Sequence, residues 1–467
     1  MPEPRRVYLN PSDYFFYAHH CMMQRRAEGG NVAFMMMDVD GHIEPDVICA
    51  ALRRVLIAHP VLMSPLRISF LRGKPFWLIP QDRPAAALEA GRRAHVFEDL
   101  RDRTDWQQRL DGFCQERYLP TWDLAAGPPI RLEQYALPWN RSRFCLRWPH
   151  LLMDAAGAQW LLAELSRLCN PAPANPSGQD DPLPAELRPD HQPLDPLARQ
   201  SWRRRWRLFF ASFSAQRQHR QLKAKALVDR GAPPYEDQHY LHCCWDAGQV
   251  RQILDAARRC TPPGPARYAR YLAACVLRAL HRLYTEQAVD SEAYLITMPI
   301  SVSEAGQAPG ESPARPIPGN YLVSPTLWGR RDRVADKRAI GEDLARQLKR
   351  YHERDVPLMQ WAMIWVAASS RAGFYQLLMR LPLGLEALAS GFSYYGEISR
   401  PLRTLGGARI SNLWGAGPLP TPPGWNPVFS RFDEKLNLSL TYTRPAISGD
   451  LARRYVRYIE QEVFESP

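Results

Sequence analysis

The sequence predicts an α/β chain folded as two lobes of similar plan. Three observations carry that class. Strand-like and helix-like hydrophobic periods interleave along the whole chain. A Pro-rich stretch separates them into two halves of comparable content. The length of 467 residues suits two large domains or three small ones, and no short repeat period is present.

The elements follow in order. Asn31 to Asp40 reads as a strand that Gly41 ends. From Glu44 the residues Val47, Ile48, Ala51, Leu52, Val55 and Leu56 recur at helical spacing, and His59-Pro60 stops the run. Phe76 to Ile79, Ile130 to Tyr135 and Arg143 to Trp148 are further strands. In the last, Phe144, Leu146 and Trp148 alternate with Cys145 and Arg147. A turn over 150–157 then leads into a helix whose face holds Ala158, Leu161, Leu162, Leu165 and Leu168.

Residues 170–198 form the predicted linker, since eight Pro fall between 171 and 196. The division is therefore 1–169 and 199–467. Arg199 to Ala226 reads as a basic, aromatic helix carrying Trp202, Trp206, Phe209, Phe210 and Phe213, with Arg203, Arg204, Arg207, Arg217 and Arg220 opposite. Either it connects the lobes with a solvated basic face, or it meets an anionic membrane or an acidic carrier protein. Helices are predicted at 246–259, 267–285, 335–352, within 356–388, and at 448–463. Strands are predicted at 293–300, 408–413 and 435–443, and a loop at 304–319.

Composition narrows the function classes. Basic residues number 60 and acidic residues 48, a net charge of +12. Such a charge first points to nucleic acid, an acidic protein or an anionic surface. No nucleic-acid recognition motif accompanies it, so nucleic acid is not expected as a partner. Arg and Pro richness from base composition is the plainer account. No signal peptide and no membrane-spanning run is expected. The nine Cys lack CxxC spacing, so they read as reduced, in a cytoplasmic protein without a metal site.

One segment carries candidate chemistry, Trp148-Pro-His-Leu-Leu-Met-Asp-Ala-Ala-Gly157. His150 leaves a half-buried strand into a turn, and Asp154 follows four residues later. An imidazole titrating near neutrality takes a proton from an alcohol or amine. The acid orients the ring or braces the turn. Small residues such as Gly157 let a substrate approach the backbone. A structural histidine at a strand end is the competing account.

These residues resemble the HHxxxDG region of the condensation-domain and chloramphenicol-acetyltransferase-like acyltransferases, a superfamily that includes wax ester synthases, alcohol acetyltransferases and the plant BAHD enzymes. Other stretches are similar in order and spacing. They are Asp38 to Asp46 with Ala50 to Leu62, Gly73 to Ile79, Ile296 to Ser301 with Gly319-Asn320-Tyr321, and Ser411-Asn412-Leu413-Trp414-Gly415. The resemblance implies two acetyltransferase-like lobes, each a mixed sheet flanked by helices, forming a V-shaped pseudo-dimer with a central tunnel. It implies acyl transfer from coenzyme A or a carrier-protein phosphopantetheine to a hydroxyl or amine, with no permanently bound cofactor. His150 matches the catalytic base and Asp154 its motif acid. Gly157, Asn320, Ser411, Asn412 and Trp414 match substrate-binding positions, with Ser411 or Asn412 as an oxyanion donor.

The chain departs from the motif at Pro149 and Ala155. At Val302-Ser303-Glu304 it departs again, where many relatives place an Arg against the acid. Asp154 is then expected to pair with Arg315, Arg409 or hydrogen-bond donors. A catalytically inactive member that binds an acyl thioester or carrier protein is the alternative reading. The expected partners are an acyl-CoA or acyl-carrier protein and a small-molecule or lipid acceptor. Peripheral membrane contact would run through 199–226 or 356–388, and the chain is expected to be a monomer.

Overall fold

The structure is a computed structural model. It describes residues 5–25, 30–70, 73–116, 122–170, 195–197, 200–228, 237–264, 266–301, 319–368, 387–398, 402–417 and 419–465. The predicted linker at 170–198, the loop at 304–319 and the later part of 356–388 fall largely outside them.

The N-terminal lobe is built on β2 (Val32–Asp40), β5 (His95–Asp99), β6 (Arg131–Leu137) and β7 (Arg141–Pro149). Period two explains how β2 is buried on both faces. Ala33, Met35, Met37 and Val39 join one core. Phe34 and Met36 join a second, with Tyr135, Cys145 and Trp414. The first core is covered by α1 (Pro11–Arg25), α2 (Pro45–Ala58), α3 (Arg83–Ala94) and α5 (Ala155–Cys169). A 3-10 turn at Pro60–Met63 ends α2 where His59-Pro60 predicted a stop. The sequence reading did not anticipate α1, α3 or α4 (Trp106–Glu116).

With β15 (Thr404–Leu405) and β16 (Ala408–Ala416) added, the sheet has strand order β15-β16-β2-β7-β6-β5 among the described residues. Its β15 and β16 come from the C-terminal half. Strand β16 lies antiparallel on β2, from Arg409 opposite Asp40 to Ala416 opposite Phe34. Gly415 permits the approach, since a Cβ there would lie 2.7 Å from the Phe34 carbonyl oxygen.

The C-terminal lobe pairs two ladders. One runs β14 (Ser393–Glu397), β17 (Trp425–Phe432), β18 (Lys435–Arg444) and β8 (Asp237–Trp245). The other runs β12 (Thr326–Arg330), β9 (Ala293–Thr297) and β13 (Leu388–Gly391). Phe392 alone separates β13 from β14, which links the ladders. Helices α7 (Ala247–Cys260), α8 (Arg267–Glu286), α10 (Lys337–Glu353) and α12 (Gly449–Phe464) close its core. Between them stands the four-residue α9 (Arg331–Val334). A fourth apolar cluster joins α6 (Trp202–Arg220) to α11 (Val356–Ala368) and to Tyr321 and Val323. The two-residue strands β10 (Ile300–Ser301) and β11 (Leu322–Val323) pair beside it. The N-terminal edge holds a small sheet of β1 (Arg6–Tyr8), β4 (Pro75–Leu78) and β3 (Leu66–Ile68).

Among the described residues no helix is long and apolar enough to cross a membrane. Cys21, Cys49, Cys145, Cys169, Cys243, Cys244, Cys260 and Cys275 are free thiols. No His/Cys/Asp/Glu group among the described residues is arranged to hold a metal.

Candidate active site

His150 stands one residue beyond the end of β7. Its amide donates to the Asn31 carbonyl at the start of β2, 2.8 Å away, so the backbone is fixed by the strand before it. Asn31 is held in turn, its amide donating to His20 Nδ1 at 3.2 Å. The imidazole stacks on Phe16 of α1, with centroids 3.8 Å apart and planes 13° from parallel. Its Nδ1 lies 3.2 Å from Asn320 Oδ1. Burial pushes the His150 pKa below its usual value, opposed by its own backbone, by the Asp154 charge and by the Asn320 hydrogen bond. The ring is therefore neutral at physiological pH, the state a base requires.

Asp154 caps α5. Its Oδ1 accepts from the Gly157 amide at 2.9 Å. Its Oδ2 accepts from the Tyr321 amide at 3.2 Å, and its own amide donates to the Gly319 carbonyl at 3.2 Å. The partner expected of this acid was Arg315, Arg409 or hydrogen-bond donors. Arg315 lies outside the described residues. Arg409 sits on β16 opposite Asp40, the partner of neither Asp154 oxygen. Two backbone amides satisfy the carboxylate instead, one from each half of the chain. Gly157 is required at its place, because a Cβ would lie 2.9 Å from Met153 Cβ.

Asn320 is turned away from a substrate role. Its Nδ2 donates to the His150 carbonyl at 2.8 Å and to Asp13 Oδ1 at 2.9 Å. Its backbone amide donates to the same Asp13 oxygen at 2.8 Å. Asn320 and Asp13 are both fully enclosed.

The structure thus brings His150, Asp154, Gly157 and Asn320 together. It places Ser411, Asn412 and Trp414 elsewhere. Ser411 Oγ donates to the Asp38 carbonyl at 3.4 Å. Asn412 exchanges two amide hydrogen bonds with Asn437, each 3.0 Å. Trp414 stacks on His242 at 4.3 Å and under the Arg143 guanidinium at 5.0 Å. All three stitch β16 to its neighbours. Asn412 precedes Gly417 by five residues, about 16 Å of extended chain. It is Gly417 that reaches the site, where a Cβ would lie 3.7 Å from His150 Cδ2. An oxyanion role for Ser411 or Asn412 has no support in this placement.

Sequence reasoning missed Asp13, Phe16, Asn31, Tyr321 and Gly417. One signal was available. Asn10-Pro11-Ser12-Asp13 is a helix-start pattern, with Asn as cap, Pro at the first position and an acid at the third. The structure shows the reciprocal pair: Asp13 N to Asn10 Oδ1 at 2.8 Å and Asn10 N to Asp13 Oδ2 at 3.2 Å.

No protein-family model matches the sequence, and a search of curated proteins gives no match. Solved structures do match along the whole chain. The first condensation domain of the calcium-dependent antibiotic synthetase, solved with a substrate analogue, is 16% identical with a TM-score of 0.70, covering 99% of this chain and 98% of that one. The trichothecene 15-O-acetyltransferase of Fusarium sporotrichioides is 10% identical with a TM-score of 0.71, covering 98% and 95%. The starter condensation domain of rhizomide synthetase, solved with C8-CoA and Leu-SNAC, is 15% identical with a TM-score of 0.64, covering 99% and 95%. At these identities the likeness is one of fold, and the chain carries the two-lobed, chloramphenicol-acetyltransferase-like fold of the condensation domains.

Proposed function

We propose that this protein is an acyltransferase in which His150 is the general base. It takes an acyl group from a thioester, on coenzyme A or a carrier-protein phosphopantetheine, and passes it to a hydroxyl or amine of a small-molecule or lipid acceptor. The observation that carries the reading is the pinned imidazole. A neutral ring at a strand end uses Nδ1 on Asn320, which leaves Nε2 for substrate.

The chemistry balances without an enzyme-bound acyl group. Nε2 takes the acceptor proton as the acceptor oxygen or nitrogen bonds to the thioester carbonyl carbon. The tetrahedral adduct collapses, the carbon–sulfur bond breaks, and the imidazolium returns the proton to the departing thiolate. Among the described residues no serine or cysteine is hydrogen-bonded to the imidazole, which fits direct attack. The tunnel expected between the lobes would admit donor and acceptor from opposite ends. The likeness to a domain solved with C8-CoA supports a thioester donor.

The test begins with an acyl-CoA chain-length screen and mass spectrometry of co-purified ligands. His150→Ala should then lower turnover by about 10²- to 10⁴-fold, the range of a lost general base. Its thermal midpoint should stay close to that of the wild type. A variant that keeps its turnover would remove His150 from the mechanism.

A further inference from the structure

We propose that Asp13, acting through Asn320, is a positioning residue that locks His150 in its Nδ1–H form. The proposal rests on the reading of His150 as the base and deepens it.

The hydrogen bonds fix every orientation in turn. Asn320 Nδ2 faces two acceptors, the His150 carbonyl at 2.8 Å and Asp13 Oδ1 at 2.9 Å. A carbonyl has no proton to give, so the amide nitrogen must sit there and the amide oxygen must face the ring. Asn320 Oδ1 and the ring's own backbone carbonyl are both acceptors, so His150 Nδ1 must carry the proton, and Asn320 holds it at their 3.2 Å contact. The lone pair is then on Nε2. Flipping the amide would put an oxygen against two oxygens.

Asp13 is what holds the amide in place. Its Oδ1 takes both the backbone and the side-chain N–H of Asn320. Its Oδ2 is engaged by the Asn10 amide, and Asn10 Nδ2 donates to the Asn320 carbonyl at 3.2 Å. Phe16 lies almost one turn further along α1 and stacks on the ring that Asn320 orients. One face of α1 therefore sets both the tilt and the tautomer of the imidazole, across 307 residues of sequence from Asp13 to Asn320.

The placement is costly, which argues against a cap alone. A helix cap works well at the surface, but Asp13 is 2% exposed. Burial pushes its pKa up to about 8, against the lowering effect of its bonds to Asn320 and Asn10. The Asp154 charge adds to the rise. When Nε2 takes the acceptor proton, the Asn320 amide oxygen lies on the side of the new imidazolium charge.

The experiment reads the tautomer directly. The protein is labelled with ¹⁵N-histidine, and the His150 ring signals are assigned by their loss in His150→Gln. The wild type should show His150 with a protonated Nδ1 and a bare Nε2. Asn320→Ala and the isosteric Asp13→Asn should shift it towards a mixture of both tautomers. With an active substrate pair, kcat should fall by about 10- to 100-fold in each, the usual effect of removing a supporting partner, while KM stays within about twofold. Unchanged ring shifts in Asn320→Ala and Asp13→Asn would overturn the proposal. If instead His150→Ala kept its turnover, the base reading would fail while the ring shifts still decided the hydrogen-bond chain.

Discussion

Asp154 fastens two elements with one carboxylate, capping α5 through the Gly157 amide and docking the Gly319–Tyr321 segment through the Tyr321 amide. Asp154→Ala loses both bonds. It should cost about 1–3 kcal/mol, a cap plus a buried amide left without its acceptor. Asp154→Asn keeps one acceptor oxygen and should recover about half. Urea midpoints measure both, and equal midpoints for Ala and wild type would show that the carboxylate is not needed. This residue was legible in the sequence, as was His150, because strand, turn and helix lie within ten residues of each other. The acid's partners were not legible. They are backbone amides, which have no sequence signature, and Tyr321 is 167 residues away. Asp13 was hidden for the same reason. Its local role is written in Asn10-Pro-Ser-Asp13, but its contact with Asn320 exists only after both lobes have folded.

At the scale of elements, the strands and helices with clean periods were readable. The run Val47 to Leu56 became α2, and Leu436 to Tyr442 became part of β18. The period failed where polar groups are buried. Helix α1 turns Ser12, Asp13, His19 and His20 inward, so its apolar stripe is broken. Strand β16 was seen, but its partner was not. Periodicity reports which face is buried, never which sheet receives the strand, and β16 crosses into the N-terminal sheet. Helix α6 departs from the sequence reading, which set its aromatic residues opposite a solvated basic face. Leu208 packs inward, while Trp202 is 60% and Phe210 65% exposed. Arg203 and Arg207 lie exposed beside them, and Arg204 pairs with Asp355 at 3.5 Å. Residues 199–228 contain no acid. An acidic carrier protein is the donor form this face would favour. Reversing Arg203 and Arg207 to Glu, leaving the Arg204 pair intact, should raise KM for a carrier-bound donor several-fold at low salt. The KM for the same acyl group on coenzyme A should move less. Equal KM values for the carrier donor in wild type and variant would remove α6 from donor recognition.

Across the whole molecule, buried titratable groups set the pH of greatest stability. Burial pushes His19 and His20 down to about 4 from 6.5, with the His150 charge adding to the shift at His19. Both are neutral in the folded chain, so between pH 4 and 6.5 the unfolded chain binds more protons. Their contribution is complete above 6.5 and is lost as pH falls towards 4. Asp13 runs the other way. Its folded value of about 8 lies above the unfolded 3.8, so the folded chain holds a proton that the unfolded chain has released. Its contribution is complete below 3.8 and is lost as pH rises towards 8. From pH 4 to 6.5 two histidines oppose one carboxyl, a net of one proton and about 1.4 kcal/mol per pH unit. His219 and His242, also pushed down to about 4 by burial, steepen the same slope. From 6.5 to 8 only the Asp13 trend remains among these groups, and stability declines. Above 9 the thiols of Cys169, Cys243 and Cys275, each raised to about 12 by burial, continue the fall. The thermal midpoint should therefore peak near pH 6.5. Asp13→Asn should flatten the decline between 6.5 and 8 while leaving the acid side in place. Calorimetry from pH 5 to 9 on both proteins decides it, and a wild-type midpoint still climbing at pH 8 would mean that Asp13 is ionised in the fold.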